Sequence, residues 1–173
     1  MSTHIDLPFH FDANGKKQED YVAEDFVCGS ISLIDIPCNH GVLINKGSFP
    51  WHQINSTTEL LLIRTGYEKL RQSEQYWNDN PGIDPELCDY LITQFKKLRC
   101  IGFDFISLSS ANYKIEGRMA HSALLKPKND SEPVLIIEDM TLAHAPSKIN
   151  KVIVAPLRVE HSNGGAVTVF AEI

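Results

Sequence analysis

The sequence predicts an α/β protein, because residue patterns locate two buried strands with a helix between them. Residues 59–63 contain a short, continuous apolar run, which is typical of a strand covered on both faces. Asp84, Pro85 and Glu86 have the composition of a helix start, with Asp84 as the N-cap and Pro85 in the first helical position. Residues 100–106 form the next buried strand. A strand, a helix and a strand within about 50 residues predict a βαβ crossover and therefore a segment of parallel sheet.

Hydrophobic periodicity and turn residues predict the remaining elements. The helix between the two strands has apolar residues at helical spacing as far as Leu98, and basic residues favour its C-terminal end. A second, short helix is predicted over residues 117–125, and it carries His121. Residues 161–165 have the composition of a hairpin turn, and residues 126–133 that of a polar loop. Further strands are predicted at residues 30–36, 134–137, 152–159 and 166–172.

Length, composition and charge limit the possible function classes. Hydrophobic residues make up 43% of the 173 residues and charged residues 22%, which are ordinary values for a globular protein. A chain of this length predicts a single domain over residues 1–173. The net charge is −6 and no basic tract is present, so we do not expect a nucleic-acid partner.

The sequence also indicates a compartment. The first ten residues lack the apolar h-region of a signal peptide, and no apolar run approaches the roughly 20 residues needed to cross a bilayer. The four cysteines lack Cys-x-x-Cys spacing and lie mostly in apolar runs, which predicts reduced core thiols. We therefore expect a soluble, cytoplasmic protein without a membrane partner.

The first eleven residues carry the strongest chemical signal. As an extended strand, residues 3–11 would place one set of side chains on an apolar face and another on a polar face, with Pro8 at an edge or distortion. The apolar set is Ile5, Leu7, Phe9 and Phe11, and the polar set is His4, Asp6 and His10. Two imidazoles and a carboxylate on one face suit a metal ion such as zinc. The alternative is a solvated, hydrogen-bonded surface pair near the terminus.

Residues 3–11 resemble the core of the signature His-x-Gly-Thr-His-x-Asp-x-Pro-x-His-Phe, which belongs to the cyclase family of metal-dependent hydrolases. The best-known members of that family are bacterial kynurenine formamidases (arylformamidases). The resemblance extends over nearly the whole chain, although Ser122 stands where the family has an arginine. Further similar segments are residues 62–66, 102–104, 120–125, 136–140, 154–157 and 164–166.

The resemblance implies a fold, an assembly and a site. The fold is a swivelling β/α/β domain with a mixed central sheet flanked by helices, and members are usually homodimers or larger homo-oligomers. The site holds one or two ions, usually zinc and sometimes manganese. By this resemblance His4 would bind the first ion, Asp6 and Glu138 would bridge both ions, and His121 would bind the second. His10 would move protons beside them.

The implied reaction is hydrolysis of an amide C–N bond in a small molecule. The resemblance points first to N-formylkynurenine, which would yield kynurenine and formate in tryptophan catabolism. Two alternatives stay open, namely hydrolysis of another cyclic or aryl amide, as in isatin-hydrolase-like relatives, and metal or ligand binding without turnover.

The family pattern also contains a histidine four residues before His4, at a position that would precede Met1. Two interpretations follow: the sequence starts at an internal methionine, or this is a shortened version with an incomplete first metal position. Asp6, His121 and Glu138 would still hold one ion, because three protein ligands and water suffice for catalytic zinc.

Other polar and aromatic residues receive weaker predictions. Asp104 is expected either to hydrogen-bond a ligand or to cap a loop. His144 and His161 are expected on the surface or in loops. Trp51 and His52 lie in a long loop and are expected either to reach the pocket or to serve packing or dimer contacts.

Overall fold

A computed structural model describes residues 2–127 and 131–173. The strands are β1 (His4–Asp6), β2 (Val27–Cys28), β3 (Ile31–Asp35), β4 (Leu43–Ile44), β5 (Leu60–Arg64), β6 (Gly82–Ile83), β7 (Cys100–Phe103), β8 (Leu135–Glu138), β9 (Lys151–Pro156) and β10 (Gly164–Glu172). The α-helices are α1 (Glu74–Asn78), α2 (Pro85–Gln94) and α3 (Lys114–Leu125).

Eight of these strands form one mixed sheet in the order β2-β9-β10-β1-β8-β7-β5-β3. The strands β3, β5, β7 and β8 run parallel to one another, whereas β8, β1, β10, β9 and β2 pair antiparallel. The crossover from β5 through α2 to β7 is the predicted βαβ unit. The predicted α/β class with a mixed central sheet is thereby confirmed.

The parallel strands are covered on both faces by two hydrophobic clusters. Ile101 and Ile136 belong to the cluster that contains α2 and α3 residues, and Ile137 belongs to the opposite cluster with residues of β1 and β9. All four residues of β7 and all four of β8 are buried. The continuous apolar runs in the sequence reflect this two-sided burial.

Helix α2 begins as predicted and ends earlier than predicted. The Asp84 carboxylate accepts a hydrogen bond from the Glu86 N–H at 2.7 Å, and Pro85 is the first helical residue. The prediction of a helix to Leu98 is wrong, because the backbone leaves helical geometry at Phe95. The Leu98 N–H then donates to the Phe95 carbonyl at 2.9 Å in a tight turn that leads into β7.

The prediction of one strand over residues 3–11 is also wrong, since β1 ends at Asp6. Residues 8–10 form a 3₁₀ turn in which the His10 N–H donates to the Leu7 carbonyl at 2.8 Å. Pro8 has no N–H for a sheet ladder but fits the first position of such a turn. As a consequence Phe11 is turned away from the apolar face that Ile5 occupies.

The remaining sequence predictions have mixed outcomes. Strands β9 and β10 pair antiparallel through the predicted hairpin, although β9 ends at Pro156. All four cysteines are free and buried, as expected of core thiols. Residues 128–130 of the predicted polar loop lie outside the described residues. No helix within residues 2–127 and 131–173 is long and apolar enough to cross a membrane.

Candidate metal centre

The pairing of β1 with β8 assembles the polar cluster. Residues directly opposite each other in an antiparallel pair share a face of the sheet, and the register places His4 opposite Glu138. Asp6 lies on the same face as His4 because side chains alternate along a strand. Donor atoms of His4, Asp6 and Glu138 all lie within 4.8 Å of one another, which is the arrangement of a possible metal site.

The Glu138 carboxylate lies between two imidazole rings. Its Oε2 atom is 3.3 Å from His4 Nε2, and its Oε1 atom is 3.3 Å from His121 Nε2. His121 Nε2 also lies 3.8 Å from an oxygen of Asp6. The four residues that the sequence nominated as metal ligands therefore converge, although His121 approaches from α3 and not from the sheet.

Backbone carbonyls fix the orientation of both rings. His4 Nδ1 lies 2.9 Å from the Ser2 carbonyl oxygen, and His121 Nδ1 lies 2.9 Å from that of Gly117. A carbonyl only accepts, so each Nδ1 carries the hydrogen that it donates, and each Nε2 faces the carboxylates, where it donates to Glu138 when protonated and can bind a metal ion when deprotonated. Metal-binding histidines commonly have such a partner for the second nitrogen.

The loop after β7 holds Glu138 in place. The Leu108 N–H donates to Glu138 Oε1 at 2.7 Å, and the Ser107 hydroxyl lies 3.2 Å from the same oxygen. No motif in the sequence identified these two residues. Their only signal is a position just beyond a buried parallel strand, at the sheet edge where ligands tend to bind.

Two glycines allow the close packing around this centre. A Cβ atom at Gly164 would collide with the Ile5 carbonyl oxygen, so β10 can approach β1 only with glycine there. A Cβ atom at Gly117 would collide with Ser109, which lies against α3 in the loop after β7. Both positions therefore bring backbone close to the cluster.

Burial and neighbouring charges perturb the titration of the cluster. Hydrogen bonding to Glu138 is the main reason why the pKa of His4 is raised from 6.5 to about 9. Burial alone would raise the pKa of Glu138, but hydrogen bonds from His121 and His4 lower it to about 2. Burial, followed by the charge of Glu138, raises the pKa of Asp6.

The donor set fits a divalent cation. Asp6 and Glu138 are two buried carboxylates that face the same volume, and like charges at this separation oppose each other. Imidazole nitrogen and carboxylate oxygen are the ligand types that zinc and manganese accept. The centre therefore has both the charge and the oriented donors that a divalent ion requires.

His10 lines the same cavity, which has a volume of about 590 Å³. His10 Nδ1 lies 2.9 Å from the side-chain amide nitrogen of Asn163, in the turn before β10. The ring of Phe11 stacks on the ring of His121 with centroids 4.9 Å apart. No sequence pattern indicated the contact of Asn163 or the stacking of Phe11, because both follow from the 3₁₀ turn at Pro8 and the β9–β10 connection.

The weaker candidates lie elsewhere. Asp104 is fully buried and accepts hydrogen bonds from the Thr65 N–H at 2.8 Å and the Gly66 N–H at 2.7 Å, so it caps a loop. Trp51 packs against other aromatic rings, including that of Tyr90 at 4.7 Å, and does not line the cavity. The remaining histidines of the weaker set, His52, His144 and His161, are exposed.

Comparisons with known proteins agree with this geometry. The sequence profile of the cyclase family matches residues 1–110. Kynurenine formamidase from Bacillus thuringiensis subsp. konkukian is 28% identical over 165 residues, which cover 95% of this chain and 72% of the relative. Kynurenine formamidase from Bacillus cytotoxicus is 29% identical over 168 residues, with the same coverage of 95% and 72%.

Solved structures share the fold. Isatin hydrolase A from Labrenzia aggregata has a TM-score of 0.79 at 23% identity, over 98% of this chain and 71% of that protein. A protein described as a potential metal-dependent hydrolase with cyclase activity has a TM-score of 0.75 at 21% identity, over 99% of this chain and 77% of that protein. The family match, the named relatives and the shared fold together confirm the expected kinship: this chain belongs to the cyclase family and is an enzyme of the hydrolase class.

Proposed function

We propose that this enzyme is a metal-dependent amidohydrolase that cleaves the formamide C–N bond of N-formylkynurenine to give kynurenine and formate. In this proposal His4, Asp6, His121 and Glu138 hold one or two zinc ions, with manganese as an alternative. His10 is the proton-transfer residue. The substrate assignment is supported by the curated relatives, which are named kynurenine formamidases.

One observation carries the proposal: Glu138 presents one oxygen to His4 and the other to His121, while His10 faces the same cavity. His4 and His10 come from the N-terminal segment, whereas His121 and Glu138 come from positions more than a hundred residues later. A carboxylate placed between two oriented imidazoles is suited to bridging metal positions. The cavity beside it provides the space for a small-molecule amide.

The chain contributes positioning and proton transfer to the proposed reaction. A divalent cation, when bound, would polarise the amide carbonyl and activate water for attack. His10 would accept the proton from the attacking water and deliver it to the leaving aryl amine, since imidazole exchanges protons near neutral pH. Asn163 carries a donor and an acceptor that exchange when its amide rotates, so it can support both forms of His10.

The test combines metal analysis with hydrolysis of N-formylkynurenine, followed by the absorbance of kynurenine. The wild type should contain zinc or manganese and should release kynurenine. His10→Ala should keep the metal and lose at least about 100-fold in kcat, since general acid–base groups contribute about that much or more. His121→Ala should lose both metal and turnover.

His144→Ala is the matched control, because His144 is exposed and lies outside the cavity. This variant should retain metal and activity. Full activity of His10→Ala would contradict the proton-transfer role, and a wild type that binds metal without hydrolysing N-formylkynurenine would contradict the substrate. Hydrolysis of isatin in its place would instead assign a cyclic amide as the substrate.

A further inference from the structure

Helix α3 directs a line of basic side chains into the cavity. Residues four and three apart lie on one helical face, and Lys114, Arg118 and His121 are spaced in this way. All three line the cavity that contains the candidate metal centre. With a rise of about 1.5 Å per residue, Arg118 precedes His121 by roughly 4.5 Å along the axis and Lys114 by roughly 10 Å.

The two basic residues contribute nothing evident to the stability of the helix. Both side chains are exposed, and across residues 2–127 and 131–173 neither takes part in an ion pair. Their spacing of four residues places like charges side by side, which is unfavourable on a helix. Lys114 also lies at the first helical position, where the helix dipole disfavours a cation.

The charge balance of the cavity differs from that of the whole protein. The chain carries a net charge of −6, which disfavours the approach of anions to the protein as a whole. Apart from histidines, the charged residues that line the cavity are Asp6, Glu138, Lys114 and Arg118. A divalent cation would balance the two carboxylates, and the two basic residues would then make the cavity attractive to an anion.

We propose that Lys114 and Arg118 determine substrate specificity by binding an anionic group, so that the site selects aryl amides that carry a carboxylate. This inference rests on the proposed function and deepens it. Arg118, nearer to His121, would bind the carboxylate with its planar guanidinium, which can donate two parallel hydrogen bonds. Lys114 would add a second positive charge farther out.

The experiment compares N-formylkynurenine with formanilide, a neutral aryl formamide. Lys114→Met/Arg118→Met should lower kcat/KM for N-formylkynurenine by about 10- to 100-fold, mainly through KM, because charge-assisted hydrogen bonds are lost. The same variant should hydrolyse formanilide within about twofold of the wild type. The preference of the wild type for N-formylkynurenine should also decrease as salt is added.

Lys148→Met is the matched control, since Lys148 is exposed and does not line the cavity. It removes one positive charge and should leave both substrates unaffected. Equal losses for N-formylkynurenine and formanilide in the double variant, or no loss for either, would overturn the inference while leaving the proposed function intact.

A binding measurement keeps the two proposals separable. Calorimetry with kynurenine, which has a carboxylate and no amide to cleave, should show weaker binding to the metal-loaded double variant than to the metal-loaded wild type by about tenfold or more. A wild type without hydrolytic activity that still shows this difference would sink the proposed reaction and support anion binding. Equal binding of kynurenine by both proteins would sink the anion-binding role.

Discussion

The two halves of the sheet differ in how they are buried. In the parallel half, every residue of β7 and β8 is buried, and the two strands are apolar except for Glu138 at the end of β8. In the antiparallel half, β9 alternates between exposed and buried residues and one face of the hairpin remains open. The candidate metal centre lies where the halves meet, at the pairing of β1 with β8.

The two halves contribute different residues to the candidate metal centre. The parallel half contains two fully buried strands, of which β8 ends in Glu138, whereas the antiparallel half brings His4 and Asp6 to that end. Neither half holds the candidate ligands alone. The junction is therefore the place where a single substitution should have the largest consequence for function and a limited one for the core.

Glu138→Gln should produce the largest effect. The amide oxygen can still accept the Leu108 N–H, so the fold should persist, but the negative charge between the two histidines is removed. Even outer partners of metal ligands change affinity by about 10- to 100-fold, so we expect a loss of at least about 100-fold in metal affinity and no measurable turnover. Metal titration and kynurenine release measure these quantities.

The matched control is Glu172→Gln, at an exposed position in the antiparallel half. Its metal affinity and turnover should equal those of the wild type. An active, metal-loaded Glu138→Gln protein would contradict the proposed role of Glu138 as a metal ligand.

Truncation of one isoleucine in each half should give a smaller effect, and it tests how much each half contributes to stability. Ile101 in β7 is 0% exposed, whereas Ile153 in β9 is 43% exposed. We expect Ile101→Ala to lower the free energy of unfolding by about 3 kcal/mol and Ile153→Ala by less than about 1 kcal/mol. Urea unfolding monitored by circular dichroism measures both. Equal costs would show that the two halves contribute alike to stability.

The pH dependence of the metal-free protein should reveal the electrostatic contact across the junction. The pKa of His4 is raised from 6.5 to about 9, so its contribution to stability is present below pH 6.5 and disappears as the pH rises through 9. The pKa of Glu138 is lowered from 4.5 to about 2, so its contribution is present above pH 4.5 and disappears as the pH falls through 2. Between pH 4.5 and 6.5 we expect the pair to contribute about 1–3 kcal/mol.

Chemical unfolding of chelator-treated protein at several pH values measures this contribution. The wild type should exceed His4→Gln in stability between pH 4.5 and 6.5, and the difference should shrink above pH 9. His161→Gln serves as the control, because His161 pairs with Glu19 at the exposed β9–β10 connection. A constant difference between wild type and His4→Gln at every pH would exclude a titrating contact.

Sequence patterns predicted the parallel half better than the antiparallel half. Continuous apolar runs located β5, β7 and β8 to within a few residues, and Asp84 located the start of α2. The predicted N-terminal strand is too long, because the alternation of apolar and polar side chains continues past Pro8 although the backbone is no longer extended there. Proline has no N–H to donate to a neighbouring strand, so it ends the strand pairing locally, whereas the alternation of side chains does not reveal that end.

The candidate ligands were predictable as residue types, and their partners were not. His4, Asp6 and His10 stand in a motif, and Glu138 ends a buried strand. The donors that support Glu138 and His10 are the backbone N–H of Leu108 and the side-chain amide of Asn163, and neither residue stands in a motif that indicates this contact. Contacts made through backbone atoms leave almost no trace in the sequence.

The sequence by itself determined the fold class, the buried strands, the start of α2 and the polar set at His4, Asp6 and His10, because local periodicity and residue chemistry set these, whereas the resemblance to the family implied the roles of His121 and Glu138. Only the tertiary structure decided that His4 lies opposite Glu138 and that Phe11 stacks on His121. The physical reason is that strand register over more than a hundred residues depends on the packing of the whole sheet. Local preferences do not encode that register.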